Sequence, residues 1–228
     1  MTDSIIPPTP SKTAYAAASG QDQTYADLFM RKDPFKLFAE WMIDATQAEP
    51  NDPNAMSVAT VDAHGLPDVR MLLLKGVDAR GFVFYTNEES TKGQHLVQSQ
   101  KAALCFHWKS LKRSVRVRGQ AQAVSAAESD AYFAKRARGS QIGAWASQQS
   151  SVIDSREVLE ARIQDVEAQY GTQNIPRPPN WYGWRVIPDR IEFWRDRPYR
   201  LHDRLVFNRN PDVSAPKTEI WNTQRLSP

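Results

Sequence analysis

The 228-residue chain carries 29 basic and 26 acidic residues, for a formal charge of +3 and a pI near 9.0; this mild bias suits small anionic ligands and is too weak to argue for nucleic acid. With 41% hydrophobic and 24% charged residues, the chain should be globular, with a real core. A single cysteine, Cys105, excludes a disulfide framework, no apolar run approaches the ~20 residues of a membrane span, and the N-terminus lacks a signal-peptide pattern, so a cytoplasmic location with no membrane partner is expected.

Residues 1–24 are rich in Pro, Ser, Thr, Ala and Gln and read as a disordered or loosely docked tail. The rest, 25–228, reads as one α+β domain. Asp33 and Pro34 open a helix, and Phe35, Phe38, Trp41, Met42 and Ala45 follow at helical spacing. The period then changes to two. Ala55–Val61 is a strand, Val69–Lys75 a second and Phe82–Thr86 a third, with turns at Ala63–Gly65 and Asp78–Gly81. Residues 102–108 and 114–124 give two more strands, and strict alternation turns Val115 and Val117 inward. Short strands at turn spacing indicate an antiparallel barrel or sandwich. Ser125 and Glu128 form a capping box for a helix through Ala137. Ser140 begins a short helix, and Asp154 or Ser155 caps a longer one with a stripe of Leu159, Ile163, Val166 and Tyr170. Prolines 176, 178 and 179 precede two final strands near 184–194 and 203–208.

Four segments could carry chemistry. Arg70 and Lys75 bracket an apolar strand, which could equally be an ordinary edge strand with a snorkelling lysine. At Ser90, Thr91 and Lys92 a strand turns into a helix, whose free N–H groups suit a phosphate but also describe a plain cap. Tyr132 and Arg136, four apart, would share a helix face, with Ser140 opening the next turn. They could hold a phosphate monoester or form a surface cation–π pair. Arg200, His202 and Arg204 recur at spacing two, so an extended chain would place two guanidiniums around one imidazole; the alternative is a solvated basic edge. No metal site is indicated, because the histidines lack paired spacing and no C-x-x-C exists. Neither of the glycine-rich nucleotide motifs is present. Arg113, Arg116 and Arg118 lack the interleaved aromatics of a nucleic-acid-binding barrel, so no nucleic-acid partner is expected.

Six motifs in register resemble the pyridoxamine 5′-phosphate oxidase family: R-M-L-L-L-K from Arg70, F-Y-T-N-x-x-S from Phe84, R-x-x-x-S-Q-I-G-A-W-x-S-x-Q-S from Arg136, I-E-F-W from Ile191, R-L-H-D-R from Arg200 and the terminal R-L-S-P. The likeness runs from about Phe35 to Pro228. It implies an antiparallel split β-barrel with flanking helices, in a homodimer with FMN at the subunit interface. It also implies oxidation of pyridoxamine 5′-phosphate and pyridoxine 5′-phosphate by O2, giving pyridoxal 5′-phosphate and H2O2. A carrier of FMN or pyridoxal phosphate without turnover is the alternative.

By motif match, the resemblance assigns Arg70, Met71, Leu72, Leu73, Leu74 and Lys75 to the FMN lining. Tyr85, Thr86, Thr91 and Lys92 fall near its phosphate region. Ser114, Gln149, Ser150, Trp194 and Arg204 complete that site. Lys75, Tyr132, Arg136 and Ser140 would hold the substrate phosphate, and Arg200, Leu201 and His202 would meet the pyridine ring, with Arg200 and His202 catalytic. The chain departs from the family pattern at two positions. Thr91 stands where an arginine is frequent, and Ser114 where a glutamine is usual, so FMN is expected to bind more weakly than is usual in the family.

Overall fold

The computed structural model describes residues 11, 13, 28–210 and 220–228. Apart from Ser11 and Thr13, the expected tail 1–24 lies outside the described residues. The described chain forms two compact units, one drawn from Met1–Pro50, His107–Val115 and Arg190–Pro228, the other from Asn51–Phe106 and Arg116–Asp189.

In the smaller unit, helix α1 (Pro34–Ala48) begins where expected. The Asp33 carboxylate accepts from the N–H groups of Phe35 (2.9 Å) and Lys36 (3.1 Å), a cap that contributes about 1 kcal/mol. Its buried face is Leu37, Phe38, Trp41 and Ala45. Trp41 meets Trp108 and Phe193 edge-on, and the Arg113 guanidinium covers its other side while binding Asp44 at 2.6 Å. Burying these side chains stabilises the helix's attachment at roughly 25 cal/mol per Å² of apolar area.

The larger unit is an antiparallel sheet with helices. Its strands are β1 (Ala55–Val61), β2 (Pro67–Leu73), β3 (Gly76–Asp78), β4 (Gly81–Asn87), β5 (Lys101–Trp108), β6 (Arg113–Ala123) and β7 (Trp181–Arg195), in the spatial order β2-β1-β5-β6-β7-β4-β3. Within the smaller unit, the Arg190–Arg195 stretch of β7 pairs with β8 (Asp203–Arg209), and β8 with β9 (Trp221–Arg225). In β1 the alternation Met56, Val58, Thr60 is buried, and Val115 and Val117 are buried in β6, as their period of two predicts. Helix α2 spans Thr91–Ser99, α3 Ala126–Ala134, α4 Arg138–Ala146 and α5 Arg156–Tyr170. Among the described residues no helix is long and apolar enough to cross a membrane.

Several expectations change in the structure. Helix α3 stops at Ala134, because the N–H groups of Lys135 and Arg136 bond three residues back, to Tyr132 and Phe133, and close the helix with a tight turn. Arg136 therefore sits in the α3–α4 connection and does not share a helix face with Tyr132. Ser140 is the third residue of α4, not its first; Ala137 holds the cap position without a side-chain bond. The stripe on α5 is only half-buried, with Ile163, Val166 and Tyr170 packed against Phe133, Ile142, Ile175 and Trp181. Strands β3 and β9 were not foreseen, being too short or too polar to show a period.

The largest correction concerns Arg200, His202 and Arg204. They do not lie on one extended face. Pro198–Arg200 is a short 3-10 turn, with Tyr199 (φ 58°) and Arg200 (φ 61°) left-handed, and β8 begins only at Asp203. Proline at the first position presets the turn, and a turn destroys the period of two that the spacing argument needs.

Candidate functional site

The end of β4 and the start of α2 create a buried cation. Ser90 caps α2, its Oγ accepting from Gly93 N–H at 3.2 Å and donating to the Asn87 carbonyl at 2.6 Å. Gly93 permits the close approach: a methyl there would lie 2.3 Å from the Glu88 carbonyl oxygen and 2.4 Å from that of Asn87. Lys92 is thereby turned inward and is only 6% exposed. Its ammonium donates to Gln149 Oε1 (2.9 Å) and Ser90 Oγ (3.3 Å). Thr86 Oγ1 donates to the same Gln149 oxygen at 3.1 Å. Lys92 pairs with no carboxylate among the described residues. Burial, with a contribution from the nearby Arg70 charge and against a weaker attraction to the Asp68 carboxylate, lowers its pKa to about 8. An ammonium desolvated among neutral partners is costly unless an anion completes it. Thr86 and Lys92 thus converge on Gln149, which is remote from both in sequence.

A second group surrounds a cleft of about 430 Å³ lined by Leu73, Lys75, Tyr85, Tyr132, Arg136, Ala137 and Ser140. Tyr85 and Tyr132 stack at 3.9 Å. Opposite Tyr85 on β7 stands Gly183, where a Cβ would approach the ring to 2.7 Å, so glycine leaves room for the stack. Burial pushes the Tyr85 hydroxyl up to about 12 and raises that of Tyr132, so both phenols stay protonated donors near neutrality. Arg136 Nη2 donates to the Ser140 carbonyl at 3.1 Å. The cleft is rich in donors and contains no carboxylate, an arrangement suited to a phosphate.

Strand β2 ends the sheet order and is an edge among the described residues. Alternate backbone groups there have no sheet partner, and Met71 is exposed. Arg70 is occupied by the Asp68 carboxylate, Thr60 Oγ1 (2.8 Å) and the Val58 carbonyl (3.0 Å). Leu72 and Leu73 are half-buried and Leu74 is buried. Thr91 is exposed at the first position of α2, and Ser150 is exposed and left-handed (φ 73°).

In the smaller unit, His202 Nδ1 lies 3.0 Å from Asp196 Oδ1 and 3.1 Å from the backbone N of Arg197. Protonated, that nitrogen donates to Asp196; unprotonated, it accepts from Arg197. The ring therefore keeps a partner in either tautomer. Trp194 lies against it at 4.6 Å. Arg204 donates to the buried Glu192 at 2.9 Å and to the Ser227 carbonyl. Arg200 and Leu201 are exposed, and Ser114 is half-buried in β6. Buried Asp203 gathers Arg197 (2.6 Å) and Arg195 (3.3 Å), anchoring both ends of the 198–201 turn.

Ser90 stands at the turn that the sequence marked as a phosphate site, and Asn87 belongs to the F-Y-T-N-x-x-S motif, but neither was assigned to the cofactor or substrate. Trp181 carries no local pattern, and only the β4–β7 register, which pairs it with Asn87, brings it to the site.

The pyridoxamine 5′-phosphate oxidase profile matches residues 42–170, and that of the pyridoxine 5′-phosphate oxidase C-terminal dimerisation region matches 181–228. The chain belongs to the pyridoxamine 5′-phosphate oxidase family. Within this family it is 56% identical over 226 residues to a pyridoxine/pyridoxamine 5′-phosphate oxidase of Maricaulis maris, covering 99% of each chain. A protein of the same name from Azorhizobium caulinodans is 58% identical over 199 residues, 87% of this chain and 94% of the relative. Among solved structures, PhzG from Burkholderia lata in complex with tetrahydrophenazine-1-carboxylic acid is similar, with a TM-score of 0.82 and 28% identity over 92% of this chain and all of that one. The fold class of this oxidase family member is the expected one, an α+β antiparallel split barrel.

Proposed function

We propose that this protein is an FMN-dependent oxidase acting on pyridoxine 5′-phosphate and pyridoxamine 5′-phosphate. The alcohol and O2 give pyridoxal 5′-phosphate and H2O2; the amine, O2 and water give pyridoxal 5′-phosphate, ammonia and H2O2. Residues 25–228 form the oxidase, working as a homodimer with FMN at the subunit interface. The C-terminal match to a dimerisation region supports the dimer.

The observation that carries this reading is the buried Lys92 ammonium, whose hydrogen-bond partners among the described residues are all neutral. It fits a phosphate-bearing cofactor, with Thr86 and Gln149 supplying the adjoining polar groups. The cleft of Lys75, Tyr132, Arg136 and Ser140 fits the second phosphate, that of the substrate. Arg70–Lys75, Tyr85, Thr91, Ser114, Ser150, Trp194 and Arg204 are the remaining residues we assign to FMN. The chemistry FMN supplies when bound is two-electron oxidation, with O2 as the final acceptor.

The protein's own residues bind, orient and handle protons. The donors of the cleft fix the substrate by its dianionic end, which converts binding energy into alignment. His202 and Arg200, with Leu201, meet the pyridine ring. With Nδ1 protonated toward Asp196, His202 Nε2 has a free lone pair and accepts the proton lost from the substrate hydroxyl or amine. The test is to mix protein, FMN and pyridoxine 5′-phosphate in air. Stoichiometric aldehyde absorbance and peroxide are expected; neither product would leave only a carrier.

Two results follow from this assignment. Arg136→Ala should raise KM about tenfold with little change in kcat, since a charge-assisted phosphate contact is lost from the bound ground state; steady-state kinetics would show an unchanged KM if the role is wrong. Thr91→Arg and Ser114→Gln should each tighten FMN binding, up to about tenfold, as read by titration of apo-protein. Unchanged affinity in both would mean the two departures carry no cost.

A further inference from the structure

We infer that Trp181 is a positioning residue for the substrate phosphate, acting through Arg136. This rests on the reading of the Lys75–Ser140 cleft given above. Arg136 lies between α3 and α4, so no helix fixes its side chain. What holds it is the indole of Trp181, whose centroid lies 4.7 Å from the guanidinium carbon, with Phe133 farther off at 5.9 Å. Its one polar partner among the described residues is the Ser140 carbonyl.

All these partners are neutral. A carboxylate would orient the guanidinium equally well, but it would consume N–H donors and cancel the charge. An aromatic face holds the plane of the group and leaves its edge and its charge for a ligand. Trp181 is itself rigid: it is 5% exposed, meets Phe133 edge-on at 5.3 Å and lies parallel to Tyr85 at 5.1 Å. Its carbonyl accepts from Arg177 Nη1 at 2.8 Å. Trp181 does not line the 430 Å³ cleft; it lines a neighbouring cavity of about 350 Å³ that shares Arg136 and Ser140 with it, so within the cleft itself the route from Trp181 to a ligand is the Arg136 guanidinium.

The test is a double-mutant cycle on FMN-loaded, full-length protein. It reads the Kd of pyridoxal 5′-phosphate by calorimetry, and KM and kcat for pyridoxine 5′-phosphate. Trp181→Leu should raise Kd and KM about fivefold with kcat within about twofold, the scale of a partly desolvated cation–π contact. Trp181→Phe should fall between. In the Arg136→Ala background the same substitutions should add nothing. An unchanged Kd in Trp181→Leu, or the full effect added on top of Arg136→Ala, overturns the inference. Should the leucine variant not fold, Trp181→Phe against Arg136→Ala decides by the same criterion. If Arg136→Ala alone leaves Kd unchanged, the cleft assignment fails first, and this inference fails with it.

Discussion

Replacing His202 with alanine is expected to lower kcat by about 10²–10³-fold, the range of a lost general acid–base group, while FMN affinity stays within about threefold. The reason lies in the ring's surroundings. Nδ1 is served by Asp196 and by the Arg197 N–H, so Nε2 is the nitrogen left for the substrate. Alanine removes that nitrogen and leaves Asp196, which is half-buried, to water. Asp203 still anchors Arg195 and Arg197, so the neighbouring turn should persist. Steady-state kinetics and FMN titration on the same preparation check this. Equal loss of turnover and cofactor affinity would make His202 a cofactor ligand.

Lys92→Met should weaken FMN binding about 100-fold and leave riboflavin binding nearly unchanged, because only the phosphate ester needs the ammonium. The same substitution should stabilise the cofactor-free protein. Methionine matches the stem's length and removes a desolvated charge. It orphans nothing: Gln149 Oε1 keeps Thr86 as donor, and Ser90 Oγ keeps Gly93. The sign in pH follows from the lowered pKa of about 8 against the ordinary 10.5. Between those values the unfolded chain binds a proton that the folded chain does not, so this group makes stability rise with pH across that window. Below about pH 8 the full penalty applies, on the order of 3 kcal/mol. Denaturant melts of apo wild type and Lys92→Met at pH 7 and pH 10 should show the gap narrowing at the higher pH. A gap independent of pH would mean the ammonium is not strained by burial.

Much of the fold was legible because it is written in local periods and caps. Asp33–Pro34, Ser90 and Ser125 each act as the caps their positions predicted. Ala55–Val61 is a strand with the bounds its alternation gave. Boundaries failed where a local bond outcompeted the pattern. The tight turn at Lys135 ended α3 early, and Pro198 turned a stretch that spacing alone read as extended. Strand β9 is a polar five-residue partner of β8, and nothing in W-N-T-Q-R announces a strand until a neighbour supplies the other half of the ladder.

Sequence by itself determined the residue types at the site: short motifs whose order and spacing placed Lys75, Lys92, Arg136 and His202 among the candidates. Only the tertiary structure decided how those charges are held. Burial and pairing are properties of neighbours remote in the chain. Lys92 meets Gln149 across 57 residues, and Trp181 meets Arg136 across a strand connection. Whether a cation is cancelled by a carboxylate or left for a ligand depends on that company, because desolvation and Coulomb energies follow distance in space and not position along the chain.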